Sequence, residues 1–408
     1  MNLGFFIILA AQFLSALADN SLLFAAIALL QQYQAPAWHT PLLQEFFVIA
    51  YILLAPFVGP FADALPKGRV MFISNAIKFV GCIAMLMGLQ PLYAYGVVGI
   101  GAAAYSPAKY GILTEYLPPR QLVAANSWME GATVLAIILG AIIGGVLVSP
   151  VNFSQWFDGT PVAKHFLAPQ FAIVIITPLH LAAGLCNLYI PHLPIDHKPP
   201  KKNPLFLLHD FWHAFRLLWR DPLGMISLAV TTLFWGVGAT MRLVVIVWAA
   251  FALQFNLERA TQLTAVVAVG IAIGAVIAGR YIKLENSVKA MPAGIAMGIT
   301  LIAITFVHDW RLAAAALLFL GALGGFFVVP MNALLQHRGH LLMGAGHSIA
   351  VQNFNENIGI LVMIGIYTLM IKEGLHITTI MMIFGLFISA SMAFIYRRHQ
   401  TLIRQSEH

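Results

Sequence analysis

Charged side chains are scarce in this sequence. Asp, Glu, Lys and Arg together make up 9% of its 408 residues, whereas hydrophobic residues make up 60%. A soluble domain carries about 25% charged residues, so the composition excludes a soluble globular protein and predicts an integral membrane protein. The apolar runs are long and do not alternate with polar residues, which excludes the strands of a membrane β-barrel.

Cysteine is nearly absent as well. The two cysteines, Cys82 and Cys186, both fall inside predicted membrane spans, which argues against a disulfide framework or a cysteine metal site. A cleavable signal peptide is not predicted, because the first apolar run starts at Leu3 without a preceding basic segment and contains Asp19. We expect no metal and no cofactor.

Length and hydropathy predict twelve helical spans, since one span needs about 20 apolar residues. If the N-terminus is cytoplasmic, 16 of the 22 Lys and Arg residues fall on the inner side and four on the outer side. This asymmetry predicts cytoplasmic termini, and it accounts for the net charge of +7 without a nucleic-acid partner. The predicted spans cover residues 4–33, 42–63, 69–89, 92–113, 122–149, 169–190, 222–253, 259–282, 290–307, 311–335, 344–371 and 377–396.

The spans group into two halves that we expect to surround a cavity. The predicted parts are an N-terminal six-helix bundle at 1–190, a cytoplasmic linker at 191–221, a C-terminal six-helix bundle at 222–396 and a cytoplasmic tail at 397–408. The linker begins with a segment rich in Pro and Lys. Its second half predicts an amphipathic helix at the inner membrane surface, where a basic face meets anionic headgroups.

An internal repeat relates the two halves. Pro107 in the fourth span and Pro330 in the tenth lie in similar Gly-rich segments, 223 residues apart. Adding the same offset to Asp19 gives Arg242 in the seventh span. The repeat therefore predicts an acid and a base at equivalent positions of the two halves. Chance similarity between Gly-rich helices is the alternative interpretation.

Two glutamates occupy a second pair of related positions. Glu130 in the fifth span and Glu356 in the eleventh are 226 residues apart, and each follows an amide, Asn126 or Gln352, by one helical turn. Their equivalence predicts a structural role, such as holding loop arginines at a cytoplasmic gate.

Asp19 lies halfway along the first span. An ionisable residue at that depth costs several kcal/mol, so it should face a wet or protein-lined interior. Gln12, Ser15 and Asp19 follow the i, i+3, i+7 spacing and share one helix face. Asn20 is expected to support Asp19 by hydrogen bonding or to line the path itself.

The two six-span halves resemble the major facilitator superfamily. Its signature loop between spans two and three has a partial counterpart in residues 59–69, which include Asp63 and Arg69, with Ala64 in place of the family's Arg. A closer resemblance is to the bacterial lysophospholipid transporter family of that superfamily. It is carried by segments 11–16, 19–20, 55–59 and 99–113.

That resemblance implies a fold and a function. The implied fold is an all-α integral membrane protein with two pseudo-symmetric six-helix bundles around a central cavity. The implied function is the flipping of lysophospholipids, chiefly lysophosphatidylethanolamine, across the bacterial inner membrane to the cytoplasmic leaflet. A cytoplasmic acyltransferase/acyl-carrier-protein synthetase would then re-acylate them.

Seven charged or polar residues are predicted to bind the headgroup of the lipid: Gln12, Asp19, Asn20, Lys78, Tyr105, Lys109 and Arg242. The planar guanidinium group of Arg242 suits phosphate oxygens, and Asp19 can accept a hydrogen bond from an ammonium or a glycerol hydroxyl. The alternative is a fixed salt bridge between Asp19 and Arg242 without substrate contact. Lys109, one turn after Tyr105, either binds phosphate or extends to the inner surface. Lys78 has the same two interpretations.

Five further residues are predicted to act in gating or packing. Asp63 and Arg69 belong to the signature loop, and Pro107 kinks the fourth span. Gly144 and Gly274 belong to small-xxx-small pairs, which let helices pack closely. A more specific hypothesis is that helix faces lined by these small residues let the two six-helix halves slide past each other during transport.

Two other functions compete with lipid transport. A proton-coupled transporter of a small polar solute or drug would use Asp19 as its titrating carboxylate. A membrane enzyme is the third hypothesis, but no nucleophile–base pair, phosphate loop or metal cluster is apparent in the sequence.

Overall fold

The computed structural model describes residues 2–36, 39–191, 203–255 and 257–406. The predictions for residues 192–202 of the linker and for 407–408 of the tail lie outside these residues. The described chain is helical, with two short 3-10 segments, Pro119–Gln121 and Leu284–Ala290. Its helices are α1 Leu3–Gln32, α2 His39–Ala64, α3 Lys67–Leu86, α4 Pro91–Tyr116, α5 Leu122–Val148, α6 Pro150–Phe157, α7 Pro161–His165, α8 Ala168–Leu188, α9 Pro204–Arg220, α10 Pro222–Ala252, α11 Leu257–Tyr281, α12 Pro292–Ile304, α13 Trp310–Met343, α14 Ala345–Lys372 and α15 Ile377–Ser406.

Local sequence signals set several of the helix boundaries. The Asn2 and Asp221 side chains cap α1 and α10 by accepting hydrogen bonds from the backbone N–H groups of Phe5 and Gly224. Such caps satisfy donors that a helix leaves unpaired in its first turn. Gly344 separates α13 from α14 with a φ of 97°, a left-handed conformation that glycine adopts without strain.

Eleven segments of the described chain are long and apolar enough to cross a membrane. The predicted fourth span at 92–113 corresponds to α4, which has 26 residues but is not among those eleven. Its Gly and Tyr residues, together with Pro107 and Lys109, lower its mean hydropathy below that of the other spans. The helix predicted in the linker is α9, whereas α6 and α7 were not predicted and occupy the connection before α8.

The helices form two compact units by contact. The first unit contains residues 1–116, 135–211 and 344–350, and the second contains 117–134, 212–343 and 351–408. The ranges interleave because α5, α9 and α14 each contribute residues to both units. The four-part division at 190, 221 and 396 stays a prediction about chain order.

Both glycines singled out in the sequence lie at close helix contacts. A Cβ atom on Gly144 of α5 would lie 2.9 Å from the backbone oxygen of Ser21 in α1. A Cβ atom on Gly274 of α11 would fall against the backbone oxygen of Ala322 in α13. Each glycine therefore permits backbone approach within its own unit. The sliding hypothesis stays a prediction.

Candidate functional site

A buried ion pair lies at the middle of α1. The Lys78 Nζ atom on α3 is 2.5 Å from Asp19 Oδ2 and 3.0 Å from Ser15 Oγ. The Lys78 side chain is 1% exposed, and the Asp19 side chain is 21% exposed. Lys78 therefore does not extend to the membrane surface, and that interpretation of it is wrong. Its charge is retained inside the protein because Asp19 compensates it.

Helical spacing brings these groups together. Ser15 and Asp19 are one turn apart on α1, and Asn75 and Lys78 are three residues apart on α3, so two short polar faces meet. The Ser15 hydroxyl donates to Asn75 Oδ1 at 2.9 Å. Gly101 of α4 leaves room for the lysine, because a Cβ atom there would lie 2.7 Å from Lys78 Cγ.

An aromatic ring and a histidine complete this first-unit polar cluster, which consists of Ser15, Asp19, Asn75, Lys78, Tyr105 and His180. Lys78 Nζ lies 5.0 Å from the centre of the Tyr105 ring, a cation–π contact. His180 of α8 is fully buried, and its Nε2 atom is 3.9 Å from Asp19 Oδ1. The sequence analysis missed His180. An ionisable residue in the middle of a span was the signal that pointed to it.

Several polar atoms of the cluster have no hydrogen-bond partner among the described residues. They are Asp19 Oδ1, Tyr105 Oη and both ring nitrogens of His180. Buried polar groups are normally paired with protein or ordered water. The arrangement places a carboxylate, a hydroxyl and a lysine side by side, which suits a ligand that carries both charges.

The other predicted binding residues lie around the cluster or away from it. Gln12 is buried one turn before Ser15 on α1. Asn20 donates to the backbone oxygen of Ala16 at 2.8 Å, so its amide does not support Asp19 as predicted. Lys109 Nζ lies 4.2 Å from the centre of the Tyr110 ring. Arg242 has an exposed side chain on α10 of the second unit, and its pairing with Asp19 stays a prediction.

Asp63 caps the start of α14 within the first unit. Its Oδ1 atom accepts from Lys67 Nζ at 2.8 Å and from the Gly346 N–H at 2.7 Å. Its Oδ2 atom accepts from the His347 N–H at 3.1 Å and lies 2.7 Å from His347 Nδ1. A carboxylate is stabilised at a helix N-terminus by the free N–H groups and the helix dipole.

The network around Asp63 extends to α9. His347 Nε2 lies 3.1 Å from Asp210 Oδ2, so both ring nitrogens face carboxylates. Since an ionised carboxylate only accepts hydrogen bonds, both nitrogens must donate, which requires the charged imidazolium. Sequence reasoning found Asp63 but missed His347, which lies 284 residues away. Arg69 is exposed and lines a cavity of about 240 Å³ with Pro66, Gly68, Ile112 and Asn187.

The two predicted gate glutamates lie in the second unit. Glu356 Oε1 accepts from Gln352 Nε2 at 2.7 Å. Glu356 holds no arginine among the described residues, contrary to the predicted role. Nearby amides bond to one another, with Asn126 and Gln336 exchanging two hydrogen bonds of 2.9 Å.

An arginine of this unit pairs instead with the α10 cap. Arg338 Nε donates to Asp221 Oδ2 at 3.0 Å. Burial raises the pKa of Asp221, but the hydrogen bonds from Arg338 and the Gly224 N–H outweigh it and leave the pKa below its usual value. Within the described ranges, no group of three or more His, Cys, Asp or Glu side chains is placed to hold a metal ion.

Solved structures share this fold. A major facilitator superfamily transporter, FucP, in the outward conformation superimposes with a TM-score of 0.74 at 14% identity, covering 97% of this chain and 98% of that one. The human organic anion transporter MFSD10 gives a TM-score of 0.71 at 14% identity, covering 98% and 100%. At this identity the likeness shows the fold alone.

Sequence comparisons identify the family. The family model described as Major Facilitator Superfamily matches residues 8–364. Proteins named lysophospholipid transporter LplT are 44% identical over 90% of this chain and 88% of the relative in Serratia proteamaculans, and 43% identical over 96% and 94% in Klebsiella pneumoniae. These findings confirm both predicted resemblances: the one to the superfamily, from the two six-span halves and the loop at 59–69, and the closer one, from segments that include 19–20 and 99–113. The chain belongs to the major facilitator superfamily and, within it, to the lysophospholipid transporter family.

Proposed function

We propose that this protein moves lysophospholipids across a membrane and recognises their headgroup with the Asp19–Lys78 pair. The relatives that share 42–44% of its residues are named lysophospholipid transporters. The observation that carries the mechanism is the buried pair on α1 and α3, whose second carboxylate oxygen accepts no hydrogen bond from the described residues. Charged groups at this depth in a membrane protein mark a substrate path.

The charged groups of the lipid headgroup replace each other's counterparts in the Asp19–Lys78 ion pair. Lysophosphatidylethanolamine carries a phosphate anion and an ammonium cation close together. When the pair opens, the ammonium takes the place of Lys78 at Asp19, and the phosphate takes the place of Asp19 at Lys78. Every charge then keeps an opposite partner, which avoids the several kcal/mol that a lone buried ion costs. Asp19 Oδ1 is the first contact because no donor of the described protein is hydrogen-bonded to it.

The other predicted residues act around this exchange. Tyr105 and His180 present polar atoms to the cluster, and Gln12 and Asn20 lie on the same helix as Asp19. Arg242 of the second unit and Lys109 near the inner end of α4 supply further phosphate contacts. Arginine binds phosphate through a planar fork, whereas lysine binds it as a point charge.

A network at the end of α2 acts as a gate. Asp63, Lys67, His347 and Asp210 join α2, α3, the start of α14 and α9 through charged hydrogen bonds. Opening this end requires breaking several of these bonds together. Arg69 and Glu130 act in gating, Pro107 bends α4, and Gly144 and Gly274 keep the moving helices close.

The location and the partner follow from the charge distribution and the family. The excess of basic residues in the predicted inner loops supports a bacterial inner membrane protein with both termini in the cytoplasm. Delivery to the cytoplasmic leaflet would supply a re-acylating acyltransferase/acyl-carrier-protein synthetase. Proton-coupled transport through Asp19 is less well supported, because Lys78 already neutralises that carboxylate.

Flipping of labelled lysophosphatidylethanolamine in liposomes tests the proposal. We expect Asp19→Asn and Lys78→Met each to reduce the flipping rate at least tenfold. The matched controls are Asp158→Asn and Lys164→Met, which alter exposed residues of the connection between α5 and α8. Full transport by the swapped protein, Asp19→Lys with Lys78→Asp, would show that pairing alone suffices and would overturn headgroup exchange.

A further inference from the structure

A second buried carboxyl group lies in the second unit. Glu356 is the twelfth residue of α14, three turns from its start, and is 9% exposed. It lies outside the first-unit polar cluster and has no place in the headgroup exchange. Asp19 is paired with a lysine, whereas Glu356 is hydrogen-bonded to a neutral amide.

The hydrogen-bond partners of Glu356 are neutral. Gln352 Nε2 donates to Glu356 Oε1 at 2.7 Å and to Asn332 Oδ1 at 2.9 Å. Thr231 of α10 also faces the carboxyl group. Within the described residues, no Lys, Arg or His side chain forms an ion pair with Glu356.

The electrostatic interaction of Glu356 with a neighbouring acid is repulsive. Glu130 of α5 acts on Glu356 with charge of the same sign. Arg338 of the same unit is engaged with Asp221 at the start of α10. An ionised Glu356 would therefore be a buried anion without a paired cation, which is strongly unfavourable.

One hydrogen-bond acceptor beside Glu356 lacks a donor among the described residues. Both donors of the Gln352 amide are used, but its Oε1 atom is buried and has no hydrogen-bond partner in the described structure. Gln352 is 6% exposed, so bulk water does not supply the missing donor. A carboxylate cannot supply it either, because it has no hydrogen to donate. A carboxylic acid can.

We propose that Glu356 is a proton-binding site, in which the neutral acid accepts from Gln352 Nε2 and donates its O–H to Gln352 Oε1. One proton from water removes the uncompensated charge and fills the empty acceptor. An acid and a primary amide pair in this way through two parallel hydrogen bonds. The inference goes beyond the proposed function, since it gives the second unit an ion-binding site separate from the headgroup contacts.

Infrared spectroscopy of the purified full chain in lipid vesicles tests the site directly. We expect a carbonyl band of a protonated carboxylic acid at neutral pH that disappears in Glu356→Gln and at strongly alkaline pH. Glu285→Gln is the matched control, because Glu285 is exposed in the 3-10 segment before α12. This control should retain the band.

A second variant keeps the carboxyl group. Gln352→Leu removes the amide, so the acid loses its N–H donor and we expect its carbonyl band to move to higher frequency. Absence of the band from the wild type, or its persistence in Glu356→Gln, would overturn the proposal. A band that appears only after Na⁺ and K⁺ are removed would overturn it too, because the carboxylate would then bind a metal cation.

Discussion

Two buried carboxyl groups of this protein lie in different chemical surroundings. Asp19 of the first unit has a lysine at 2.5 Å, the Ser15 hydroxyl that accepts from that lysine, and a second oxygen that accepts no hydrogen bond from the described residues. Glu356 of the second unit has amide and hydroxyl partners and, among the described residues, no ion pair. The first arrangement keeps both charges and exposes them to a zwitterionic ligand. The second favours loss of the charge by protonation. Depth in a membrane helix therefore does not determine the role of an acid; its partners do.

The largest effect should come from breaking the compensated pair. Lys78→Met leaves Asp19 without its cation, and removal of one partner of a buried ion pair costs about 3 to 5 kcal/mol. We expect a lower melting temperature in detergent as well as the loss of flipping. Adding Asp19→Asn to Lys78→Met should recover most of the stability but none of the flipping. A double variant that flips lipid normally would contradict the account.

The second largest effect should come from adding a methyl group to a glycine that packs against Lys78, the partner of Asp19. Gly101→Ala places a Cβ atom against Lys78, and overpacking of this kind costs about 1 to 3 kcal/mol. Gly131, beside Glu130 in the second unit, has nothing within 4 Å of such an atom, so Gly131→Ala serves as the control. Thermal unfolding measures both. Equal losses in the two variants would show that the first-unit polar cluster tolerates displacement of Lys78.

A smaller effect is expected at the α10 cap. Asp221→Asn keeps a capping side chain but weakens the bond to Arg338, and we expect a loss of up to about 1 kcal/mol. Because the pKa of Asp221 lies below its usual value, its stabilisation is present above the unfolded pKa of about 4 and is lost as pH falls through the lower folded value. Melting temperatures of the wild type and variant should therefore converge under strongly acidic conditions. A constant difference would rule out the Arg338 contribution.

The smallest effect should be that of Glu356→Gln at neutral pH. Glutamine resembles the neutral acid in shape and charge, so we expect the melting temperature to change by no more than the Glu285→Gln control does. Asp19→Asn should change it more, since it leaves Lys78 uncompensated. A large destabilisation by Glu356→Gln would mean that the two carboxyl groups are both ionised, and the contrast between the units would disappear.

Much of the fold was predictable because it depends on local sequence. Long apolar runs locate the helices, and the amphipathic pattern after residue 204 locates α9. The position of Asp19 within an apolar run already singles it out as a candidate site residue. Its partner was not predictable from spacing, since Lys78 lies 59 residues away on another helix. Lys78 alone is compatible with either burial or extension to the surface, and only packing decides between them.

The network at Asp63 shows the same limit. The signature loop points to Asp63, but nothing local indicates that it caps a helix start 283 residues later. The repeat relating Glu130 to Glu356 was found from spacing, whereas their partners were not. Amides replace the expected arginine at Glu356, and a short motif does not encode which side chains approach it from other helices.

Headgroup selectivity in liposomes tests the central claim most directly. The ratio of flipping rates for lysophosphatidylethanolamine and lysophosphatidylglycerol should be compared between wild type and Asp19→Asn, since only the first lipid carries an ammonium. The account predicts that this ratio falls at least tenfold in the variant, because the carboxylate that binds the ammonium is gone. An equal loss for both lipids, with the ratio unchanged, would contradict recognition of the ammonium by Asp19.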